Sequence, residues 1–260
     1  MRMKAEEIKK IVRDGYAKAA AQNATCRAAS SCCGGAGKAT NISKAVGYSD
    51  AEMAAVPEGA NLGFGCGNPV AIASLKEGEV VLDLGSGAGF DAFLASSRVG
   101  KTGKVIGVDM TPEMIIKARA NAKKGNYANV EFRLGEIEKV PVEDGSIDVV
   151  ISNCVINLSP EKQKVFKEAF RVLKSGGRLM VSDLMLVKEL PKIIKGSIEA
   201  YIGCLSGAIG KGEYLKLITI AGFRDVEVVS ESNYPVGAMF DNLKSAQGAI
   251  ASIKISAIKR

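Results

Sequence analysis

The 260-residue chain has no histidine and no tryptophan, and aromatic residues make up only 5% of it. Without histidine it lacks the usual general base near neutral pH and the commonest metal ligand. So few rings leave little material for stacking nucleobases. No apolar run reaches the roughly 20 residues that span a bilayer. The first residues, Met1-Arg-Met-Lys-Ala-Glu-Glu7, read as a polar helix and not as a secretion signal. A cytoplasmic protein with no membrane partner is expected. Paired C-x-x-C spacings are also missing, which excludes zinc knuckles and a thioredoxin-type motif. No internal repeat is visible.

What is present is ordinary in bulk and unusual in its sulfur. Hydrophobic residues account for 47% and charged residues for 24%, as in globular domains. The length suits one catalytic domain with an appendage, expected to be a monomer. The net charge of +7 raises the question of nucleic acid, but lysines and arginines alternate with acids, as in Lys4–Lys10 and Glu161–Arg171. That dispersal reads as solvation, with no nucleic-acid partner. Six cysteines remain: Cys26, Cys32, Cys33, Cys66, Cys154 and Cys204. In a reducing compartment they should start as thiols and not as structural disulfides.

The chain is organised around Val80–Asp91, Val-Val-Leu-Asp-Leu-Gly-Ser-Gly-Ala-Gly-Phe-Asp, where an apolar strand runs into Gly85, Gly87 and Gly89. Closely spaced glycines let the backbone turn sharply and press against a ligand at a helix start. A second run, Lys104–Asp109, ends in a carboxylate 24 residues beyond Gly85, placed to accept ribose hydroxyls. Either feature alone is compatible with a plain strand end or turn; together they favour a cofactor. The spacing with Asp83 ahead of it, acid-x-G-x-G-x-G, resembles motif I of class I S-adenosylmethionine-dependent methyltransferases.

Strands are expected near 79–84, 104–109, 129–134, 147–152 and 177–183, with helices near 4–22, 89–99, 112–124 and 160–174. Thr111 should cap the helix that Pro112 opens, and Pro69–Leu75 and Pro191–Cys204 also read as helical. The polar stretch 23–41 buries little and is expected to be mobile. Asp225–Ser232 and Ala251–Lys259 alternate as antiparallel strands do. This is an α/β, Rossmann-like doubly wound sheet of five parallel strands plus an antiparallel terminal pair. Its expected parts are an N-terminal helix, cysteine segment and Gly-Cys-Gly lid over 1–75, a cofactor domain over 76–184, and a substrate insert with terminal strands over 185–260. The superfamily resemblance covers 76–184 and implies a cofactor set of Asp83, Gly85, Gly87, Gly89, Asp109, Met110, Glu136, Ile137 and Asn153. In it Glu136, standing where relatives have Asp, faces the adenine amino group.

Ligands of open α/β sheets sit beyond the carboxyl ends of the strands. Cys154 follows the fourth strand, Cys204 lies in the insert after the fifth, and Cys66 occupies a glycine loop before the first. Free cysteines are often simply buried, yet these three are placed to converge near the transferable methyl group. Soft thiolates select thiophilic centres, so the guest expected of them is As(III). Gly65-Cys-Gly-Asn-Pro69, Ser152-Asn-Cys-Val-Ile-Asn-Leu158 and Gly203-Cys204 resemble arsenite methyltransferases over essentially the whole chain. The resemblance implies methylation of arsenite from S-adenosylmethionine, with glutathione or thioredoxin supplying thiol reduction. It implies Cys154 and Cys204 as principal ligands, Cys66 as the third, and one of Cys26, Cys32 and Cys33 as a further thiol, with Cys32 or Cys33 favoured. The protein thiols would reduce arsenic after transfer by forming a disulfide, with the Cys66 loop as the expected partner. The rival readings are a methyltransferase of a quinone or sterol-like substrate and a non-enzymatic metalloid-binding protein.

Overall fold

A computed structural model describes residues 4–21, 36–234, 236, 246 and 248–260. The chain begins with α1 (Ala5–Ala21), α2 (Ala36–Ala45), α3 (Asp50–Ala54) and α4 (Pro69–Ile72). The alternating core follows: β1 (Val80–Leu84), α5 (Phe90–Val99), β2 (Lys104–Asp109), α6 (Pro112–Lys124), β3 (Val130–Leu134), β4 (Ile147–Asn153), α7 (Lys162–Val172) and β5 (Leu173–Leu186). A single 3-10 turn, Ile156–Leu158, links β4 to α7. Beyond β5 come α8 (Lys192–Lys195), α9 (Ile198–Ile202), α10 (Lys211–Ile220), β6 (Arg224–Asn233) and β7 (Ile250–Ile258).

The seven strands form one sheet in the order β3-β2-β1-β4-β5-β7-β6. β1 to β5 are parallel, and β7 runs antiparallel between β5 and β6, as the alternating pattern predicted. The central strands are near-continuous apolar runs because helices cover both faces. One face buries Leu82, Val150, Val181 and Ile253 beneath α7 and α10. The other buries Val81, Val105, Val149 and Ile151 beneath α4, α5 and α6. Reversal of strand order between β1 and β4 opens a crevice at their carboxyl ends, where open sheets bind ligands. α1 packs against α6 and α9 at that end.

Four details depart from the sequence reading. The expected helix over 160–174 stops at Val172, because Leu173 already pairs with Ile147 and a bulge at Gly176 and Gly177 carries β5 onward. The expected helix over 191–204 divides into α8 and α9, the second started afresh by Ser197, whose side chain accepts the Ala200 N–H. Thr111 stands at the start of α6 but makes no capping bond through its side chain; its own N–H donates to Asp109. Finally, α2 orders residues 36–41 of the stretch expected to be mobile.

Candidate active site

The glycine turn after β1 builds one wall of the crevice. Gly85 sits at φ +70°, and a Cβ there would fall 2.4 Å from Val155, so only glycine admits this turn against the segment after β4. Gly87, at φ +53°, faces open space. Asp109 ends β2 opposite, its two carboxylate oxygens accepting the N–H of Gly87 at 3.0 Å and of Thr111 at 2.8 Å. Gly85, Gly87, Asp109, Met110, Ile137 and Asn153 all line one cleft. A carboxylate facing open space over glycine is the cradle that an adenosyl group requires, so the residues present fit S-adenosylmethionine.

The other expected cofactor residues, Asp83, Gly89 and Glu136, lie outside the lining. Asp83 is 2% exposed beneath the turn, one of its oxygens without a partner. Burial, with Asp91 and Asp109 nearby, pushes its carboxyl well above the usual range. Gly89 begins α5 at φ +98°, packed against Phe93 and Phe132. Glu136 pairs at 2.8 Å with Lys9 of α1, itself a cleft-lining residue, and Ile137 and Glu138 line the cleft beside it. Lys9 lies within 3.7 Å of Glu138 and Glu161 as well, so α1 is fastened across the cleft mouth by charge. Nothing local in the sequence signals that latch, since its partners are 127 to 152 residues away in the chain.

The sulfur chemistry lies at the far side of the same cleft. Cys154, the first residue past β4, lines the cleft at φ +60°, and Cys204, just past α9, has φ +64°. Non-glycine residues held there cost of order 1–3 kcal/mol each and cluster at functional sites. Cys66 and Cys154, expected as thiols, are joined by a disulfide with Cα atoms 5.7 Å apart, because the Gly-Cys-Gly loop folds onto the end of β4. The Cys204 thiol donates to the Cys154 carbonyl at 2.8 Å. Among the described residues, the three metal-ligating side chains whose donor atoms lie within 4.8 Å of one another are Cys66, Cys154 and Asp183. Cys26, Cys32 and Cys33 lie outside the described residues.

Asn153 ties the two halves together. Its side-chain oxygen accepts the Cys66 N–H at 3.1 Å, while its nitrogen lies 2.9 Å from the Gly67 carbonyl and from the Asp91 carboxylate. Tyr48 donates to the other Asp91 oxygen at 2.5 Å. Asp183, fully buried on β5, accepts from Asn157, Tyr214 and the Leu184 N–H. Burial pushes its carboxyl up to about 6 despite those bonds. Tyr48, Asp91 and Asp183 were not singled out from the sequence as site residues.

The raised carboxyls carry a stability consequence. Between the unfolded value near 3.9 and about 6, the folded Asp183 retains a proton that the unfolded chain has shed. Its contribution to stability is therefore fully present below about pH 4 and lost as pH rises through 6. Buried Asp91, also pushed up to about 6 by burial, acts in the same direction. The chain is expected to resist denaturant better at pH 5 than at pH 7.5. Asp183→Asn should remove about 1.4 kcal/mol of that difference, the linkage over the one pH unit between 5 and 6; urea titrations at the two pH values check it.

A doubly wound sheet of this order, with its glycine turn and β2 acid facing one cleft, is the class I methyltransferase fold. Residues 75–222 match a family described as a methyltransferase domain. An arsenite methyltransferase of Halobacterium salinarum is 47% identical over 86% of this chain and 59% of its own length. One of Aquipseudomonas alcaligenes is 41% identical over 65% of this chain and 50% of its own. The crystal structure of an arsenic(III) S-adenosylmethionine methyltransferase from Chlamydomonas reinhardtii superposes with a TM-score of 0.67 at 34% identity, covering 84% of this chain and 73% of that one. The chain belongs to the arsenite methyltransferase family, and it spans between half and 60% of the length of these two sequence relatives.

Proposed function

We propose that the chain methylates trivalent arsenic held by cysteine thiolates, with S-adenosylmethionine as methyl donor. The observation that carries this reading is the position of Cys154. It lines the cofactor cleft, bonds to Cys66 and receives the Cys204 thiol on its own carbonyl. A quinone or sterol methyltransferase has no need of three cysteines at this point, and a metalloid-sequestering protein has no need of the glycine turn and Asp109.

In this reading Gly85, Gly87 and Asp109 hold the adenosyl group, whose bound sulfonium supplies an electrophilic methyl. Cys66, Cys154 and Cys204 bind arsenite as thiolates and leave arsenic a lone pair, so nothing need remove a proton to create the nucleophile. That suits a chain without histidine. Holding the lone pair in line with the methyl carbon is worth ~7–11 kcal/mol of barrier. Forming the carbon–arsenic bond raises arsenic formally to As(V). Cys66 and Cys154 return it to As(III) by closing their disulfide, which an external thiol, glutathione or thioredoxin, must reopen.

The test is incubation of the pre-reduced protein with arsenite and labelled methyl donor. Methylated arsenic should form to about one equivalent and stop, with two fewer free thiols per chain, and resume on adding glutathione. Many turnovers with every thiol reduced and no external thiol would contradict the redox coupling.

A further inference from the structure

The disulfide separates two cavities. Cys154 belongs to the cofactor cleft, whereas Cys66 lines a second, polar groove on the other side of the loop. That groove is walled by β6 and β7 and by the end of α2 with the residues after it; among the described residues its lining contains Lys44 and Lys254, hydroxyls of Ser230, Ser232 and Ser252, and no acid. Ser252 donates to the Cys66 carbonyl at 2.5 Å, which fixes the loop against the groove floor. Lys44 is neutralised by Asp50 at 2.6 Å. Lys254 is not: among the described residues, no carboxylate pairs with it. Its stem crosses Gly67, with Cε 3.4 Å from where a Cβ on that residue would stand, and its ammonium is 3.7 Å from the corresponding point on Gly47. An uncompensated cation therefore sits one residue from a disulfide sulfur, among hydroxyls.

We propose that this groove is the docking site of the small anionic thiol that reopens the Cys66–Cys154 bond, with Lys254, Ser230 and Ser232 holding its carboxylate. The proposal rests on the redox reading given above. Displacement at sulfur runs in line with the bond that breaks, and the rate depends on which sulfur can be reached. Approach from the groove meets Cys66 and expels Cys154 toward the cofactor cleft, where its thiolate is needed. The thiolate of the reductant bonds to the Cys66 sulfur, the Cys66–Cys154 bond breaks, and Cys154 leaves as a thiolate that takes up a proton. A second thiol then attacks the outer sulfur of the mixed disulfide and releases Cys66. Two thiols are oxidised to one external disulfide, and the protein gains two electrons and two protons. Cys66 is 1% exposed, so the thiol group must enter past the glycines that flank it.

The experiment uses the oxidised full chain without arsenic and follows reduction of Cys66–Cys154 by thiol counting and mass spectrometry. The probes are glutathione, neutral 2-mercaptoethanol and cationic cysteamine, each compared at equal thiolate concentration. Glutathione should react about tenfold faster than 2-mercaptoethanol, and cysteamine slowest, with the advantage lost in 1 M salt. Lys254→Met and Lys254→Glu should abolish the glutathione advantage without altering the 2-mercaptoethanol rate or the melting temperature. Lys254→Arg should retain it. The trapped mixed disulfide should lie on Cys66. Equal rates for all three probes, adducts on Cys154, or reduction by thioredoxin but not by glutathione would overturn the groove assignment and leave the redox cycle standing. Failure of the oxidised protein to form the Cys66–Cys154 bond at all would overturn both.

Discussion

Cys154→Ser is expected to lose arsenite binding and methylation together, each by more than ~100-fold. Removing even a group that merely orients a ligand costs 10–100-fold, and here a soft sulfur would be replaced by a hard oxygen in the coordination set itself. The same change deletes the disulfide to Cys66. Misfolding would give the same loss, and the backbone supplies the control. Cys154 is held at φ +60°, which a side chain resists and glycine accepts. Cys154→Gly relieves that strain, so under reducing conditions it should stay within about 1 kcal/mol of the parent in urea titrations while remaining as inactive as the serine variant. Measured arsenite affinity and product formation in both variants check the claim. An active Cys154→Gly protein would remove the cysteine from the reaction.

The second large effect belongs to the cofactor half. Asp109→Ala should weaken S-adenosylmethionine binding about 10- to 100-fold, since a hydrogen bond to a charged acceptor contributes about 1.5–3 kcal/mol. Part of the loss is indirect, because the carboxylate also fixes the Gly87 and Thr111 amides. Asp109→Asn keeps an acceptor oxygen for one of those amides and turns its NH2 toward the other, and should fall between the parent and the alanine variant. Calorimetry on the three proteins separates the roles. Unchanged affinity in a folded Asp109→Ala protein would contradict the assignment.

Both predictions concern residues that could be located from the sequence. β1 halting at Gly85, β2 ending in Asp109 and Cys154 standing one residue past β4 follow from short-range facts: apolar runs, glycines and the common direction of parallel strands. The parts that escaped depend on long-range placement. Lys9 finds Glu136 only because α1 is laid across the cleft, a pairing between residues 127 apart that no local pattern signals. Asp183 reads as one polar position in an apolar strand until β5 brings it beside the Cys66 and Cys154 sulfurs. The thiols themselves were legible as a group, with the Cys66 loop as one half of a disulfide, but not which sulfur it meets. The fold puts Cys66 onto Cys154 and turns Cys204 to the Cys154 backbone.

The central claim is that arsenic sits on the sulfurs of Cys66, Cys154 and Cys204, and X-ray absorption at the arsenic edge tests it most directly. Reduced protein loaded with one equivalent of arsenite should show a first shell of three sulfurs and no oxygen. Cys204→Ser should lower that count to two. A shell of oxygens only in the parent protein, or a sulfur count unchanged by Cys204→Ser, would contradict the account.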